Sequence, residues 1–188
     1  MFDPDLSIET ARLLLRAYVP ADAEAFHAYQ SLPEVARYLY WGPRDLEQVR
    51  ASLAEKIERL ALRDERQLIG RSVVLRATGE LIGDYVLSWS SHEHRQGEIG
   101  YAFDPRHQGQ GYATEAGLPM LAIGFGGLGM HRIMGRLDAR NTASARVLER
   151  LGMRREAHLV ENEFIKGEWT DELVYAMLRT EWEAREGR

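Results

Sequence analysis

The segment that organises this sequence spans residues 103–114 and reads Phe103-Asp104-Pro105-Arg106-His107-Gln108-Gly109-Gln110-Gly111-Tyr112-Ala113-Thr114. Apolar residues precede it and a helical pattern follows it, which predicts the order strand, loop, helix. Its two glycines allow backbone N–H groups to turn outward together and allow a ligand to approach the main chain closely. The following helix would add unpaired N–H donors and the positive end of its dipole. The segment therefore predicts an anion site suited to a pyrophosphate.

Two other phosphate-binding motifs do not fit this segment. The NTPase phosphate loop requires Gly-Lys-Ser/Thr after its glycines, whereas Gly111 is followed by Tyr112 and Ala113. The dinucleotide fingerprint requires a third glycine where Thr114 stands, and it requires a parallel βαβ unit. Here three predicted strands precede the loop without helical crossovers. A module for another phosphate ligand, or a glycine-rich turn without a ligand, remains the alternative at this stage.

The composition limits the class of protein. The chain has 188 residues, of which 45% are hydrophobic and 28% charged, a mixture typical of a folded globular protein. The formal net charge of −5 disfavours general binding to nucleic-acid phosphates. The absence of cysteine excludes disulfides, zinc–thiolate sites and a thiol nucleophile. Without a signal-peptide pattern in residues 1–5 or a run of ~18 apolar residues, we expect a cytoplasmic protein with one domain over residues 1–188.

The hydrophobic periodicity predicts an α/β (α+β) fold. Helical spacing covers residues 20–30, 45–62, 112–125 and 141–151. Patterns typical of strands cover residues 11–17, 67–76, 81–89, 98–103, 132–137, 156–164 and 169–178. A hairpin signal at residues 77–80 joins the second and third strands. The resulting order, β α α β β β α β α β β, predicts a mixed, mostly antiparallel sheet of about seven strands flanked by about four helices.

The glycine loop resembles a known signature. Gln108-Gly109-Gln110-Gly111-Tyr112-Ala113 is similar to the Gln/Arg-x-x-Gly-x-Gly/Ala motif of the GNAT superfamily of acyl-CoA-dependent N-acetyltransferases. An overlapping register that starts at Arg106 also fits, but the register from Gln108 has the usual spacing from Pro105. Further segments resemble the RimJ/RimL-like branch of that superfamily, so that the resemblance covers nearly the whole chain: residues 10–16, 97–101, 111–116, 141–153 and 166–171. One departure is Gln108, where this branch often has Trp, which leaves the wall near the pyrophosphate less hydrophobic.

The resemblance implies a binding mode for acetyl-CoA. The cosubstrate would lie in a V-shaped gap that splits the sheet between the strand ending at Phe103 and the strand ending at Leu137. Asn141 would contact the pantetheine arm, and Ser144 would lie near the thioester sulfur. The implied cofactor-binding residues are Tyr101, Phe103, Gln108, Gly109, Gln110, Gly111, Tyr112, Ala113, Thr114, Asn141 and Ser144. No metal is expected, because the His pair at residues 92 and 94 has no third ligand at a recognisable spacing.

The chemistry implied is direct attack of an amine on the thioester, which needs a neutral amine, a polarised carbonyl and a proton for the leaving thiolate. The resemblance assigns Glu163 as the base and Ser144 as the proton donor. Glu98 is a second candidate, because it lies mid-strand beside Gly100 and Ala102 on a face where partial burial is expected. For Glu163 the alternative is an exposed strand carboxylate. For Glu98 the alternatives are substrate orientation and a structural hydrogen bond.

The acceptor pocket is predicted from an aromatic cluster between the first two helices. Tyr38, Tyr40 and Trp41 occupy the region where the family places substrate-pocket residues, and Glu98 is expected to face the same pocket. A cluster that caps the core is the alternative for the three aromatic residues.

An amine acceptor and acetyl-CoA are the expected partners. A lysine ammonium costs roughly 4–5 kcal/mol to deprotonate at pH 7 and an α-ammonium only about 1 kcal/mol, which favours the N-terminal α-amine of a protein or peptide. The alternatives are a small amine, such as an aminoglycoside or a polyamine, and a non-catalytic acyl-CoA-binding domain. Neither nucleic acid nor membrane is expected as a partner, and the chain is expected to be a monomer or a homodimer.

Overall fold

The computed structural model of this protein describes residues 6–60 and 67–186. Within these residues there are one eight-stranded sheet and six α-helices. The strands are β1 (Ile8–Glu9), β2 (Leu13–Arg16), β3 (Leu68–Leu75), β4 (Leu81–Ser91), β5 (Gln96–Phe103), β6 (Arg132–Asp138), β7 (Arg154–Ile165) and β8 (Glu168–Leu178). The helices are α1 (Ala23–Gln30), α2 (Pro33–Ala36), α3 (Leu46–Leu60), α4 (Tyr112–Ala122), α5 (Thr142–Arg150) and α6 (Arg179–Glu186).

The sheet has the order β1-β2-β3-β4-β5-β6-β8-β7, and every neighbouring pair except β5–β6 is antiparallel. This confirms the predicted mixed, mostly antiparallel α/β fold. The described part of the chain has one strand and two helices more than the periodicity indicated. β1 and α2 have only two and four residues, too few to produce a hydrophobic period. α6 was not predicted because most of its residues are polar and resemble a solvated tail.

The sheet opens between β5 and β6. These parallel strands pair only from Gln96 opposite Arg132 to Glu98 opposite Met134. Beyond Glu98, β5 continues to Phe103 and β6 to Asp138 without pairing to each other. Their separation produces the V-shaped gap, and Glu98 stands where the gap begins.

Each face of the sheet is covered by helices. One face packs against α4 and α5, with Tyr85, Ile99 and Phe103 in the larger hydrophobic core. The other face packs against α1 and α3, where Phe26 and Leu53 belong to a second core. The predicted capping box of α3 is present, because Asp45 and Gln48 each accept a hydrogen bond from the other's backbone N–H. The gap therefore connects two faces that have separate cores.

Some predicted boundaries differ from the structure. The helix predicted over residues 112–125 ends at Ala122 and continues as a π-helical turn at Ile123–Gly127. Residues 61 and 62 of the helix predicted over 45–62 lie outside the described residues, as do residues 1–5, on which the signal-peptide expectation rested. Among the helices that the structure describes, none is long and apolar enough to cross a membrane.

Candidate active site

The glycine loop joins β5 to α4 as the sequence predicted. Gly109 and Gly111 have φ angles of +73° and +83°, in the left-handed region that glycine adopts without steric cost. Gly111 is the N-cap residue of α4, so its conformation directs the chain into the helix and leaves the first N–H groups of α4 without helical partners. Gln108 Nε2 donates a 3.1 Å hydrogen bond to the Phe103 carbonyl oxygen, which closes the base of the loop.

Arg12, the residue directly before β2, holds the outer side of this loop in place. Arg12 Nη1 donates to the Gln110 carbonyl oxygen at 3.0 Å, and Arg12 Nε donates to Glu115 Oε2 at 2.7 Å. The guanidinium also stacks 4.4 Å from the ring centroid of Tyr112. Thr10 Oγ1 donates to Glu115 Oε1 at 2.6 Å. Sequence reasoning assigned Arg12 and Glu115 no role, although both lie in segments that carried the family resemblance.

The loop forms one wall of a cavity of about 390 Å³, here called the loop cavity. Of the residues predicted to bind the cofactor, the following line it: Tyr101, Phe103, Gln108, Gly109, Gly111, Tyr112, Ala113, Thr114, Asn141 and Ser144. Gln110 does not, and its carbonyl oxygen is held by Arg12. His107 of the glycine loop also lines this cavity, as do two arginines to which sequence reasoning gave no role, Arg146 and Arg150. The spacing of Arg146 and Arg150, one helical turn apart, was the available signal.

A second cavity of about 330 Å³, here called the far cavity, lies on the α1–α3 side of the gap. It is lined by the predicted pocket residues Tyr38, Tyr40, Trp41 and Glu98, and by Glu163. The two cavities share six lining residues, which are Tyr38, Leu39, Tyr101, Ala102, Asn141 and Ser144. They therefore meet within the gap.

Two hydroxyl groups lie at this junction. Tyr101 Oη is 2.8 Å from Ser144 Oγ and also donates to the Ser144 carbonyl oxygen at 3.0 Å. Asn141 Oδ1 accepts a 3.1 Å hydrogen bond from the Ser144 N–H and caps α5. Burial raises the pKa of Tyr101 well above that of a free tyrosine, so its hydroxyl stays protonated. Sequence reasoning expected Tyr101 to contact the cofactor but did not pair it with Ser144.

Both candidate bases face the far cavity. Glu163 Oε1 accepts a 3.2 Å hydrogen bond from Tyr40 Oη and lies 3.9 Å from Arg136 Nη2. Burial, and then the Glu163 carboxylate, raise the pKa of Tyr40 to about 12. Burial also raises the pKa of Glu98, against an opposing effect of Arg136. Arg136 itself is held by two hydrogen bonds of 2.7 and 2.8 Å to the buried Glu172.

Two further observations concern a buried tyrosine and possible metal ligands. Tyr175 is buried in β8, where its hydroxyl group donates a 3.0 Å hydrogen bond to Glu149 Oε1, and it lines neither cavity. Within residues 6–60 and 67–186, no group of three or more His, Cys, Asp or Glu side chains is arranged to hold a metal ion.

The two cavities define a class of protein. Main-chain donors and basic side chains at one end suit the phosphates of a carrier, and a carboxylate-lined space at the other end suits a nucleophile that must lose a proton. The resemblance of the sequence implied a sheet opened in this way, in an enzyme that transfers an acyl group from coenzyme A. Residues 12–154 match the family described as "Acetyltransferase (GNAT) domain". The chain belongs to this family and is an acyl-CoA-dependent N-acetyltransferase.

Known proteins similar to this chain carry related names. It is 35% identical over 184 residues to the "Uncharacterized N-acetyltransferase YnaD" of Bacillus subtilis, covering 94% of this chain and 99% of that one. A crystal structure of a GNAT-family acetyltransferase from Bacillus anthracis superimposes with a TM-score of 0.84 at 33% identity, covering 94% and 100% of the two chains. The "Spermidine N(1)-acetyltransferase" of Escherichia coli is 26% identical over 155 residues, which are 82% of this chain and 80% of that one.

Proposed function

We propose that this enzyme transfers the acetyl group of acetyl-CoA to an α-amine, at the N-terminus of a protein or peptide, by direct attack of the amine on the thioester. The observation that carries the proposal is the meeting of the two cavities at Tyr101 and Ser144. A thioester at this junction would be reached by a donor from the loop cavity and by an amine from the far cavity. The resemblance of five segments to the RimJ/RimL-like branch supports the same acceptor.

The residues of the loop cavity fit the polar part of acetyl-CoA. The N–H groups after Gly109 and Gly111 and the N-terminus of α4 would bind the pyrophosphate. Arg146 and Arg150 line the same cavity and supply the positive charge that phosphate groups require. Asn141 and the β5 backbone near Tyr101 lie between that end and the junction, where the pantetheine arm would run.

The proton transfers are assigned to Glu163 and Ser144. Glu163 accepts the proton that the amine loses as its nitrogen bonds to the carbonyl carbon. Ser144 donates its hydroxyl proton to the sulfur as the carbon–sulfur bond breaks. Tyr101 Oη, 2.8 Å away, returns a proton to Ser144 Oγ, and solvent then reprotonates Tyr101 and takes the proton from Glu163. Glu98 stands at the start of the gap and would orient the amine. Such acid–base groups contribute roughly 10²- to 10⁴-fold to a rate.

A polyamine acceptor is the second candidate. The Escherichia coli relative named as a spermidine acetyltransferase favours it. An α-amine needs less free energy for deprotonation than a primary alkyl amine, by about 3–4 kcal/mol at pH 7. A carboxylate base is therefore better matched to the α-amine than to a primary alkyl amine.

The test is a steady-state assay of CoA release with acetyl-CoA and a panel of peptides with free N-termini, beside spermidine. We expect turnover of peptides, a loss of roughly 10²-fold or more in kcat for Glu163→Gln, and an unchanged Kd for acetyl-CoA. Glu161→Gln, an exposed carboxylate on the same strand, is the matched control. A fully active Glu163→Gln variant would move the base to Glu98 or to water. Failure to acetylate any amine, by a protein that binds acetyl-CoA, would overturn the proposed function.

A further inference from the structure

The far cavity has charged groups at two separated ends. Along its floor, β4 and β5 present side chains of one face, and the register pairs Asp84 with Ala102 and Ser88 with Glu98. Four residues of β5 separate these two rungs, which corresponds to about 13 Å of extended strand. Between them Gly100 pairs with Val86, and both residues line the cavity.

The end at Glu98 carries negative charge. Glu98 and Glu163 both line it. The nearest guanidinium, that of Arg136, is engaged mainly by the buried Glu172, whereas its contact with Glu163 is 3.9 Å long. This end suits an amine or ammonium group, and it adjoins the junction with the loop cavity.

The opposite end carries an excess of positive charge. Arg44 and Lys56 both line the cavity here. Lys56 Nζ lies 2.9 Å from Asp84 Oδ2, and the same carboxylate accepts hydrogen bonds from Tyr18 at 2.8 Å and Tyr29 at 3.0 Å. Two cations at this end therefore share one carboxylate, whose oxygen atoms already have three partners.

Arg44 is the cation without a carboxylate partner. Its Nη1 donates to Gln30 Oε1 at 3.3 Å and to Ser52 Oγ at 3.1 Å, both neutral groups. Its guanidinium stacks 4.3 Å from the ring centroid of Trp41, which fixes its plane. Across residues 6–60 and 67–186, no carboxylate oxygen lies within ion-pair distance of it. Partial burial lowers the pKa of Arg44, against the opposing effects of the Asp84 and Glu55 carboxylates.

A half-buried arginine with a fixed plane and neutral neighbours is suited to one ligand chemistry. Guanidinium groups bind carboxylates through two parallel hydrogen bonds, and these charge-assisted bonds are stronger than neutral ones. The side chains of Gln30 and Ser52 both bind Nη1. The Nε and Nη2 groups of the Arg44 guanidinium have no hydrogen-bond partner among the described residues.

We propose that the acceptor is an amine that also carries a carboxylate, and that Arg44 binds this carboxylate while the amine lies at Glu98 and Glu163. The inference rests on the proposed function and adds to it the requirement that the acceptor amine also carries a carboxylate. A polycation of the same length would place an ammonium group against Arg44 and Lys56, which like-charge repulsion disfavours. The carboxylate can belong to a free amino acid or to an acidic residue near the N-terminus of a peptide.

The experiment compares acceptors that differ only in the distal group. One arm uses glycine, β-alanine, γ-aminobutyrate and ε-aminohexanoate, each beside the alkylamine and the diamine of equal length. A second arm uses short peptides that begin Ser-Glu or Ser-Gln. We expect kcat/KM to be roughly 10- to 100-fold higher for the carboxylate member of the longer matched sets, whereas glycine is too short to reach both ends and should show no preference. A preference in the first arm alone identifies a free amino acid, and a preference in the second identifies a peptide.

Substitution of Arg44 tests the assignment. Arg44→Gln should abolish the carboxylate preference, and Arg44→Glu should reverse it toward the diamine, while the Kd for acetyl-CoA stays unchanged. Arg37→Gln is the matched control, because Arg37 is exposed on the same segment and contacts the ring of Tyr38 without lining either cavity. The unfolding temperature of each variant shows whether it is folded, and Arg44→Lys provides a second folded variant that retains the charge.

The outcomes separate this inference from the function on which it rests. Equal kcat/KM for carboxylate and neutral acceptors, or a preference that survives Arg44→Gln, overturns the assignment of Arg44 and leaves acetyl transfer in place. Absence of CoA release with every amine overturns both proposals.

Discussion

Tyr101 Oη lies 2.8 Å from Ser144 Oγ on the wall that the two cavities have in common. Tyr101 comes from β5 and Ser144 from the first turn of α5, so the contact spans the gap in the sheet. It gives the serine hydroxyl a partner that can return a proton to it. Because burial raises the pKa of Tyr101, this partner is protonated throughout the neutral pH range.

The Ser144–Tyr101 pair predicts a graded loss of activity. Ser144→Ala removes the proposed proton donor and should lower kcat by roughly 10²-fold or more. Tyr101→Phe keeps the ring and should lower kcat by a smaller factor, because water can also return the proton. Both variants should retain the Kd of the wild type for acetyl-CoA. Thr142→Ala, an exposed residue of the same helical turn, should match the wild type; an equally active Ser144→Ala would remove Ser144 from the mechanism.

The left-handed backbone at Gly111 predicts an effect on cofactor affinity. Gly111 has φ +83°, where a β-branched residue is strained by roughly 1–2 kcal/mol or more. Gly111→Val should therefore reorient the N–H groups of the loop and raise the Kd for acetyl-CoA about tenfold. Gly79→Val is the matched control, since Gly79 has φ +73° with open space around it in the β3–β4 hairpin. If Gly111→Val binds acetyl-CoA as tightly as the wild type, the loop does not bind the pyrophosphate.

We predict that Arg12 affects the conformation of the glycine loop more than it affects the free energy of unfolding. Its ion pair with Glu115 is partly exposed, and pairs of this kind contribute ~0–1 kcal/mol. Arg12→Gln should lower the unfolding temperature by less than about 4 °C, yet weaken acetyl-CoA binding several-fold, because the Gln110 carbonyl loses its restraint. Arg50→Gln removes an exposed ion pair between α3 and α1, with Glu24, and serves as the control. Identical Kd values for the two variants would argue against a positioning role for Arg12.

The raised pKa of Glu98 predicts that the difference in stability between the wild type and Glu98→Gln depends on pH. Burial raises the pKa of Glu98 in the folded protein, so the folded protein binds this proton more tightly than the unfolded chain does. The stabilisation that this provides is complete below the ordinary glutamate pKa of about 4.3 and is lost as the pH rises through the raised value. Glu98→Gln should thus gain in unfolding temperature relative to the wild type between pH 4 and pH 8, approximately. Thermal melts across this range test it, with Glu168→Gln as an exposed control; a constant or falling difference would contradict it.

Local motifs made much of this site predictable. Gly109 and Gly111 are required by a single tight loop, and Asn141 and Ser144 by a single helix start, so that each signal lies within a few residues of sequence. Hydrophobic period alone indicated seven of the eight strands, because each of the seven is long enough to show it.

Contacts between distant segments were not predictable in the same way. Arg12 and Glu115 are 103 positions apart, and Tyr101 meets Ser144 only because β5 and β6 diverge after Glu98. Arg44 appeared as an ordinary charged residue, since its significance depends on the absence of a carboxylate beside it once the chain is folded. Side-chain partners of this kind follow from the register of the sheet, which periodicity does not specify.

The most direct test of the account is a thermal-unfolding comparison with acetyl-CoA, CoA, ATP and NADH, each in excess. A ligand at about 100 times its Kd adds ~2.7 kcal/mol, which at ~2–4 °C per kcal/mol gives a rise of about 5–10 °C for a chain of this size. We expect acetyl-CoA and CoA to raise the unfolding temperature and ATP and NADH to leave it unchanged. A folded protein whose unfolding temperature does not respond to acetyl-CoA or CoA would contradict the assignment of the loop cavity.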